Sequence, residues 1–492
     1  MFAPHQEIHN IEKIAYNLIA DCLSLARSKQ PKELNEPVEE ESDELRVEVM
    51  CFLDKYQEEL EWAELEDISD QTADAIMTFA VASDIYRLRH LIAELDRRIG
   101  YESFLRYMNT QPFYALNSNW QESGLLLPRV PCAKTVHDYE GELHERKTAE
   151  AWSDELNSCL QRYFYVTLDE IGDYTICNIY YDPFIGEPLD ELTLACAPLI
   201  DGAIANILHY DIVTEVDEDS GHTFPFLDNF AVLNPDEVNR RVKRAYIFSR
   251  ENHAHLLSMP EMLGTNALYE LDEDDYNPLL SGLNKSQLPY KAQKSSLKLI
   301  CAPTCWENNA NFLNIYRPDG RFLGRQYKQT RFWMNEHPRI YENLKNIPKQ
   351  ILLLHMPRLG RVMFAICADY LNPNYRSLLA KTLKATFLLC PSFSTGSAAF
   401  EEALNAVSEF GCTVIWLNCC SARNGSAHTG AVSAPTVPVT QGRKYLNLKC
   451  DGECPDGCIF LATIPLNFAG ETRFEDKAVD IWHKKIQEEK ER

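Results

Sequence analysis

The sequence predicts an α/β fold with mixed sheets, preceded by an all-α N-terminal domain. Between residues 11 and 106, apolar side chains recur at helical spacing. From residue 192 onward, strand-like apolar runs alternate with amphipathic helix-like segments and short turns. Repeated strand–helix units with interleaved hairpins are typical of mixed sheets covered by helices.

The length of 492 residues is enough for about two or three domains. We predict a helical domain at 1–110, a linker with a small α+β connecting region at 111–187, and a larger α/β domain at 188–485. This division follows the change of periodicity along the chain.

The N-terminal pattern has start and stop signals. Ser69 is a predicted helix N-cap, apolar residues then follow at helical spacing, and Gly100 is the predicted stop. The acidic tract 33–44 is predicted to be a solvated linker. Segments 165–168 and 174–181 are typical of two strands around a turn, which predicts a β-hairpin.

In the larger domain, residues with reactive side chains come directly after predicted strands. Asn234 is the predicted N-cap of a helix, and the strand after that helix ends just before Glu261. Lys328 follows the second strand of a predicted hairpin, and Cys367 follows another strand. Sheets of α/β proteins carry their chemistry at the carboxyl ends of strands, so these three positions are candidate site residues.

The composition disfavours several classes of partner. The formal net charge of −25 opposes a non-specific grip on nucleic acid or anionic lipid. No secretory signal is visible, and the most apolar window, 192–208, is broken by Pro198 and Asp201, so no transmembrane helix is predicted. The 16 cysteines lie scattered through the chain, which indicates reduced thiols and a cytoplasmic protein.

Glu261, Lys328 and Cys367 supply a carboxylate, an ammonium and a thiol, in this order. A thiol at its ordinary pKa of about 8.5 is mostly protonated at neutral pH. A nucleophilic cysteine therefore needs a partner base, and the oxyanion that it creates needs a cation. The three residues are suited to covalent cleavage of a carbon–nitrogen bond.

Three segments surround these residues: Pro260-Glu261, Asp319-Gly320 before Tyr327-Lys328, and Ile366-Cys367-Ala368-Asp369. In their order and strand context they resemble the nitrilase superfamily, the carbon–nitrogen hydrolases, and the resemblance covers residues 192–466. The family's second glutamate lies a few residues beyond its lysine, and Glu336 stands 336 − 328 = 8 positions after Lys328.

The resemblance implies a four-layer α-β-β-α sandwich and an amidase-like activity through a thioester, with no cofactor and no metal. It implies that Cys367 attacks the substrate carbon and that Glu261 relays the proton. Lys328 and the backbone N–H of Ala368 would stabilise the oxyanion, and Glu336 would orient the lysine or the substrate. The implied substrate is a small amide or nitrile, and the implied assembly is a homo-oligomer.

The substrate and the partners stay open. Substrate pockets are shaped by variable loops, and the insertions 201–233 and 265–296 leave amide hydrolysis, nitrile cleavage and acyl transfer as alternatives. The alternative is a nitrilase-like scaffold or interaction module, catalytically idle or secondary, in a larger assembly such as a bacterial defence system. The N-terminal helices are then candidates for contact with a protein partner.

Other cysteines are also candidates for a functional role. Cys305 opens the tetrapeptide Cys-Trp-Glu-Asn, which surrounds the nucleophile of some nitrilases, but it precedes the lysine instead of following it. Cys450, Cys454 and Cys458 are spaced at four-residue steps. Structural zinc takes four ligands and usually closer pairs, so Cys419 or Cys420 would have to complete a metal site, and the spacing favours a metal-free loop.

Overall fold

The structure is a computed structural model. The chain divides into two compact units: the larger contains Gly186–Leu354 and Arg361–Arg492, and the smaller contains most of the preceding residues with His355–Gly360. The structure describes residues 15–29, 42–62, 68–99, 114–116, 125–128, 160, 163–184, 189, 191–216, 221–272, 275–281, 296–334, 338–345, 347–356, 358–406, 412–422, 428–435, 443–450, 458–466 and 480–485.

Helices are found in both units. The α-helices of the described residues are α1 (Ala15–Ser28), α2 (Ser42–Leu53), α3 (Gln57–Trp62), α4 (Asp70–Ala82), α5 (Ile85–Arg98), α6 (Leu168–Ile171), α7 (Pro235–Glu251), α8 (Asn266–Tyr269), α9 (Pro278–Ser281), α10 (Ala368–Leu371), α11 (Pro373–Ser377) and α12 (Ser397–Ala406). Short 3₁₀ turns lie at Asp54–Tyr56, Ile204–Asn206 and Cys420–Ala422, and a π-helical turn lies at Leu378–Thr382.

Strands also occur in both units. They are β1 (Tyr114–Leu116), β2 (Leu125–Pro128), β3 (Tyr163–Val166), β4 (Thr175–Tyr180), β5 (Glu191–Cys196), β6 (Leu208–Val216), β7 (Thr223–Val232), β8 (Leu256–Ser258), β9 (Leu299–Cys301), β10 (Cys305–Glu307), β11 (Ala310–Tyr316), β12 (Phe322–Tyr327), β13 (Trp333–Met334), β14 (Ile340–Glu342), β15 (Gln350–Met356), β16 (Gly360–Phe364), β17 (Phe387–Ser392), β18 (Thr413–Asn418), β19 (His428–Pro435), β20 (Arg443–Lys449), β21 (Cys458–Pro465) and β22 (Asp480–Lys485).

Helices α1 to α5 of the smaller unit bury a shared apolar core. The predicted N-cap is confirmed, because the Ser69 hydroxyl oxygen accepts a hydrogen bond from the Thr72 N–H at 3.3 Å. The apolar run that begins there breaks after Ser83, where Asp84 caps α5 by accepting from the Arg87 N–H at 2.8 Å. Both helices face the same core, so the apolar spacing continues across the break.

The predicted hairpin between 165–168 and 174–181 is wrong. Strand β3 pairs with β2, and β4 pairs with β1, both in antiparallel register. Between β3 and β4, the carboxylate of Glu170 accepts from the backbone N–H of Thr167 at 2.9 Å and from its hydroxyl at 2.8 Å. Together with the Glu170 N–H, which donates to the Thr167 carbonyl at 3.1 Å, these bonds favour the helical turn α6 over a tight hairpin turn.

Two large mixed sheets form the core of the larger unit. Within this unit, the strand order of the first sheet is β15-β16-β17-β18-β19-β20, and β16, β17 and β18 are parallel. The second runs β10-β11-β9-β8-β5-β21-β22, with β12 beside β11 and with β5, β8 and β9 parallel. Strands β8, β9, β16, β17 and β18 are buried at every residue, as expected for sheets covered on both faces. The predicted mixed α/β fold is confirmed.

The insertion 201–233 contains a hairpin that sequence reasoning missed. Strands β6 and β7 pair in antiparallel register, β14 adds to β7 in parallel, and β13 completes a four-stranded sheet in the order β13-β14-β7-β6. Much of β6 is exposed, so no buried face marks it in the sequence. This sheet fixes the position of β14.

Helix α7 begins where the sequence predicts. The Asn234 side chain accepts from the Glu237 N–H at 3.2 Å, and Pro235 occupies the first helical position. Acidic residues in the first turn suit the positive end of the helix dipole. Among the helices of the described segments, none has the length and apolar character needed to cross a membrane.

Candidate active site

Glu261 lies just beyond β8, at the carboxyl end of the parallel strands β5, β8 and β9. Its buried carboxylate accepts hydrogen bonds from three nitrogen donors. Oε1 accepts from Asn311 Nδ2 at 2.9 Å and from Lys328 Nζ at 2.8 Å, and Oε2 accepts from the Phe393 N–H at 2.9 Å. The donors come from β11, from the residue after β12 and from the segment after β17, so three separate parts of the chain fix this carboxylate.

Lys328 is the first residue after β12, and its ammonium lies between two buried carboxylates. Nζ is 2.8 Å from Glu261 Oε1 and 2.6 Å from Glu342 Oε2. Burial acts to lower the pKa of Lys328, but the two negative charges outweigh it, so this pKa lies well above its ordinary value. The side chain therefore carries a positive charge at neutral pH.

Glu342, at the end of β14, is a member of this cluster that sequence reasoning missed. Its Oε2 also accepts from the Phe332 N–H at 3.1 Å. Asn311 Nδ2 lies 3.2 Å from Glu342 Oε1 and thus links this carboxylate to that of Glu261. The whole group of Glu261, Asn311, Lys328 and Glu342 is buried and cross-connected.

The route by which Glu342 reaches the cluster explains why it was missed. It stands 342 − 328 = 14 positions after Lys328 and lies opposite Leu227 of β7, on the small sheet. No local spacing in the sequence indicates this pairing. Glu336, the second glutamate that the resemblance implies, lies outside the described residues.

Cys367 lies at a sharp turn between β16 and α10. Its φ of +49° and ψ of −105° are unusual for a residue with a side chain, and such conformations cost about 1 to 3 kcal/mol. The turn is held by hydrogen bonds, since the Cys367 N–H donates to the carbonyl of Pro391 at 2.9 Å and the Tyr370 N–H donates to the Cys367 carbonyl at 3.0 Å. The thiol is thereby placed at the end of a central strand.

Asp369 fastens this turn to the segment that carries Lys328. Its Oδ2 accepts from the Ile366 N–H at 3.2 Å, and its Oδ1 accepts from the N–H groups of Gln329 and Thr330 at 2.9 and 2.6 Å. Burial raises the pKa of Asp369 to about 7, although the charge of Lys328 and the backbone donors oppose this rise. The thiol and the ammonium are therefore mounted on segments joined through one side chain.

The Cys367 thiol lies beside the Glu261 carboxylate and interacts with it. Burial, followed by the negative charge of Glu261, raises the pKa of the thiol well above its ordinary value, and Lys328 opposes this rise. Burial also raises the pKa of Glu261, with Lys328 acting against it and Glu342 adding to it. The thiol thus stays protonated until a base accepts its proton, and the adjacent carboxylate is a stronger base than an exposed one.

The structure brings Glu261, Lys328 and Cys367 together, and each lies one to three residues after the end of a strand. A thiol, a base in contact with it and a fixed cation are the groups that acyl transfer at a carbonyl carbon requires. Within the described segments, a different group of side chains lies close enough together to hold a metal ion, namely the thiols of Cys420, Cys450 and Cys458.

Cys305 has different surroundings. It lies on β10 within an apolar core, and its Sγ is 3.8 Å from the carbonyl oxygens of Thr265 and Pro303. Burial raises the pKa of this thiol to about 12. A Cβ built on Gly264 would lie 2.2 Å from the sulfur, so the space beside it is filled by backbone. Cys305 is a packed core side chain.

The chain is similar to solved structures of an amidase from Nesterenkonia sp. AN1. A mutant showing Michael addition of acrylamide at its active-site cysteine has 14% identity and a TM-score of 0.37, over 56% of this chain and 93% of its own. A crystal structure of an amidase from Nesterenkonia sp. has 14% identity and a TM-score of 0.36, over 58% and 94%. A mutant of the AN1 amidase, described as from the nitrilase superfamily, has 14% identity and a TM-score of 0.35, over 56% and 92%. No family model and no curated protein matches the chain.

Proposed function

We propose that the protein hydrolyses carbon–nitrogen bonds of small non-peptide amides through a thioester acyl-enzyme. The observation that carries the proposal is that the buried Cys367 thiol interacts with the Glu261 carboxylate, beside an ammonium held between two carboxylates. The motifs that resemble the nitrilase superfamily support the same class of reaction. On this proposal the protein is a carbon–nitrogen hydrolase of the amidase type.

In the acylation step, the Cys367 S–H bond breaks as its proton passes to Glu261, and the sulfur bonds to the amide carbon. The carbonyl electron pair moves onto oxygen. Lys328 has three N–H donors, of which two are directed to Glu261 and Glu342, so one remains for the oxyanion. The backbone N–H of Ala368 is the second donor, and one such donor is worth about 2.7 to 4 kcal/mol.

In the following step, Glu261 gives its proton to the leaving nitrogen, the carbon–nitrogen bond breaks, and ammonia or an amine departs. Glu261 then takes a proton from water as the water oxygen attacks the thioester carbon. The carbon–sulfur bond breaks, and Glu261 returns that proton to the sulfur. The products are a carboxylic acid and the free thiol of Cys367. A positioned base of this kind contributes about 10²- to 10⁴-fold to the rate.

Glu342 acts in this proposal as a positioning residue. It lies 2.6 Å from Lys328 Nζ, keeps the ammonium charged and occupies one of its donors. Glu261 can then change its protonation state during the reaction while Lys328 retains a second anionic partner. Glu336 stays a prediction of the sequence.

The proposal extends to the architecture. The two large sheets would stack as the inner layers of a four-layer α-β-β-α sandwich, supported by the complete burial of their central strands. We propose that 1–110 is a separate all-α domain and that the protein is a cytoplasmic homo-oligomer. Multi-angle light scattering of the full chain tests the homo-oligomer, which predicts a mass of at least two chains.

The decisive experiment combines turnover with labelling. Ammonia release is measured from a panel of aliphatic and aromatic amides, with the corresponding nitriles in parallel, and the native protein is treated with iodoacetamide and mapped by mass spectrometry. We expect ammonia from at least one amide and modification at Cys367, with substrate protecting the thiol. An idle scaffold is the better description if no amide or nitrile reacts and Cys367 stays unlabelled.

A further inference from the structure

Three cysteine thiols meet at a place that the proposed reaction does not use. The Sγ atoms of Cys420, Cys450 and Cys458 all lie within 4.8 Å of one another, and those of Cys420 and Cys458 are 4.0 Å apart. All three side chains are buried. Together they form the three-cysteine cluster.

The members of the three-cysteine cluster come from different parts of the larger unit. Cys420 opens the 3₁₀ turn after β18, Cys450 follows β20, and Cys458 begins β21. Strands β18 and β20 belong to one large sheet, whereas β21 belongs to the other. The cluster therefore brings together the ends of strands from both large sheets.

The spacing of the sulfur atoms suits tetrahedral coordination. With a zinc–sulfur bond of about 2.3 Å, two thiolates on one zinc ion are about 3.8 Å apart. The observed distance of 4.0 Å between the Cys420 and Cys458 sulfur atoms is close to this value. Because no two of the three sulfur atoms are more than 4.8 Å apart, each pair would have to approach by about 1 Å at most to bind one zinc ion. A disulfide would use only two of the three sulfur atoms and would leave the third buried thiol beside it.

We propose that the three-cysteine cluster binds a zinc ion that ties the two large sheets together. On binding, three S–H bonds break, three zinc–sulfur bonds form, and three protons pass to solvent, with no change of oxidation state. Thiolate ligands favour zinc over magnesium or calcium, which prefer oxygen. Water or a further side chain takes the fourth position. The inference is independent of the proposed amide hydrolysis.

The neighbouring cysteines explain why sequence spacing pointed away from a metal. Cys419 is excluded from the cluster, because its thiol donates to the carbonyl of Ile200 at 3.3 Å. Cys454 lies outside the described residues. The ligand that completes the group of three is Cys420, which is 30 residues before Cys450 and so forms no recognisable pair with it.

Zinc content of the full chain tests the inference. The protein is purified without a polyhistidine tag and without chelators, in a reducing buffer, and its metals are measured by elemental mass spectrometry. We expect about one zinc ion per chain in the wild type and at least a fivefold loss in C420S and in C458S. C412S removes a buried thiol outside the cluster, and C367A removes the proposed nucleophile, so both should keep the zinc.

Cobalt(II) provides a second measurement that does not depend on the folding of the variants. Wild-type protein stripped of metal and loaded with cobalt should show thiolate-to-metal charge-transfer bands, and zinc should remove them. A wild type that binds neither zinc nor cobalt would overturn the inference, as would zinc retained in full by a C420S/C458S variant. A Cys420–Cys458 disulfide in protein purified without air, or binding of copper(I) alone, would also overturn it.

Discussion

The surroundings of Cys305 and Cys367 differ although both thiols are buried in the larger unit and both have a raised pKa. Cys305 contacts carbonyl oxygens and a filled core, whereas Cys367 contacts a carboxylate and lies near an ammonium. Burial alone makes a thiol inert, because it disfavours the thiolate. The difference shows that adjacent proton acceptors and cations, not depth in the core, distinguish a candidate nucleophile from a packing residue.

The largest expected effect separates the two thiols directly. Cys367→Ala should lower amide turnover by at least about 10⁴-fold, because the nucleophile is lost. Cys305→Ala should leave turnover nearly unchanged and cost about 1 kcal/mol of stability through lost packing. Ammonia release and urea unfolding of both variants provide the comparison. Turnover that survives the first change and disappears with the second would assign the chemistry to Cys305.

The second largest effect is expected from removing the Lys328 ammonium. Lys328→Met leaves the carboxylates of Glu261 and Glu342 buried without their shared ammonium, so unfolding should become easier by about 3 to 5 kcal/mol. The loss of an oxyanion donor should also lower turnover by about 10²- to 10³-fold.

The control for this change is Lys345→Met. Lys345 is also paired with a glutamate, Glu215, but this pair lies at the surface. Such pairs contribute at most about 1 kcal/mol, so the control should unfold almost like the wild type. Equal stability losses in the two variants would mean that the buried cluster has no special energetic role.

A smaller effect is expected from Gly264→Ala, which tests Cys305 as a packing residue. The added Cβ would lie 2.2 Å from Cys305 Sγ and 2.6 Å from the Thr304 carbonyl oxygen. Overpacking of this kind costs about 1 to 3 kcal/mol. Gly396→Ala is the matched control, since its Cβ would meet its nearest neighbour at 3.9 Å. Thermal unfolding that is equal in both variants would contradict the tight packing beside Cys305.

Glu342→Gln should have a modest effect on turnover, on the order of 10-fold, because the lysine keeps one carboxylate partner. The pH profile gives the more specific test of a positioning role. Removing one negative charge lowers the pKa of Lys328, so the alkaline limb of kcat/KM should move to lower pH. A uniform loss of activity with an unchanged profile would indicate a merely structural role for this carboxylate.

The pH dependence of the wild type is the subtlest test. Glu261 must be ionised to accept the thiol proton, so turnover should rise as the pH increases through its pKa. Burial raises that pKa, and the acid limb of kcat/KM should therefore lie above about 4.3, where an exposed glutamate titrates. An acid limb at or below that value would show that Lys328 and the hydrogen-bond donors dominate over burial.

Local signals in the sequence were sufficient for much of this fold. The caps at Ser69 and Asn234 depend on a few adjacent residues, and both are present in the structure. The strands before Glu261, Lys328 and Cys367 were predicted from short apolar runs. At these caps and strands, structure depends on neighbours in the chain, and the sequence alone was a reliable guide.

Features that depend on distant pairing could not be predicted. Glu342 enters the cluster only because β14 pairs with β7, which lies within a segment that reads as an insertion. The sequence left Cys419 and Cys420 as alternatives for completing a metal site, and the choice of Cys420 depends on where the ends of two sheets meet. The break at Asp84 had a local signal in its capping side chain, but the uninterrupted apolar spacing obscured it.

The backbone of Cys367 has a consequence for selection experiments. Its φ of +49° is adopted readily by glycine, whereas it is strained for cysteine, alanine and other residues with a Cβ. A library at position 367 that is screened only for resistance to heat should therefore favour glycine over alanine, whereas one screened for amide turnover should keep cysteine. At this position thermal robustness and chemistry select for different residues.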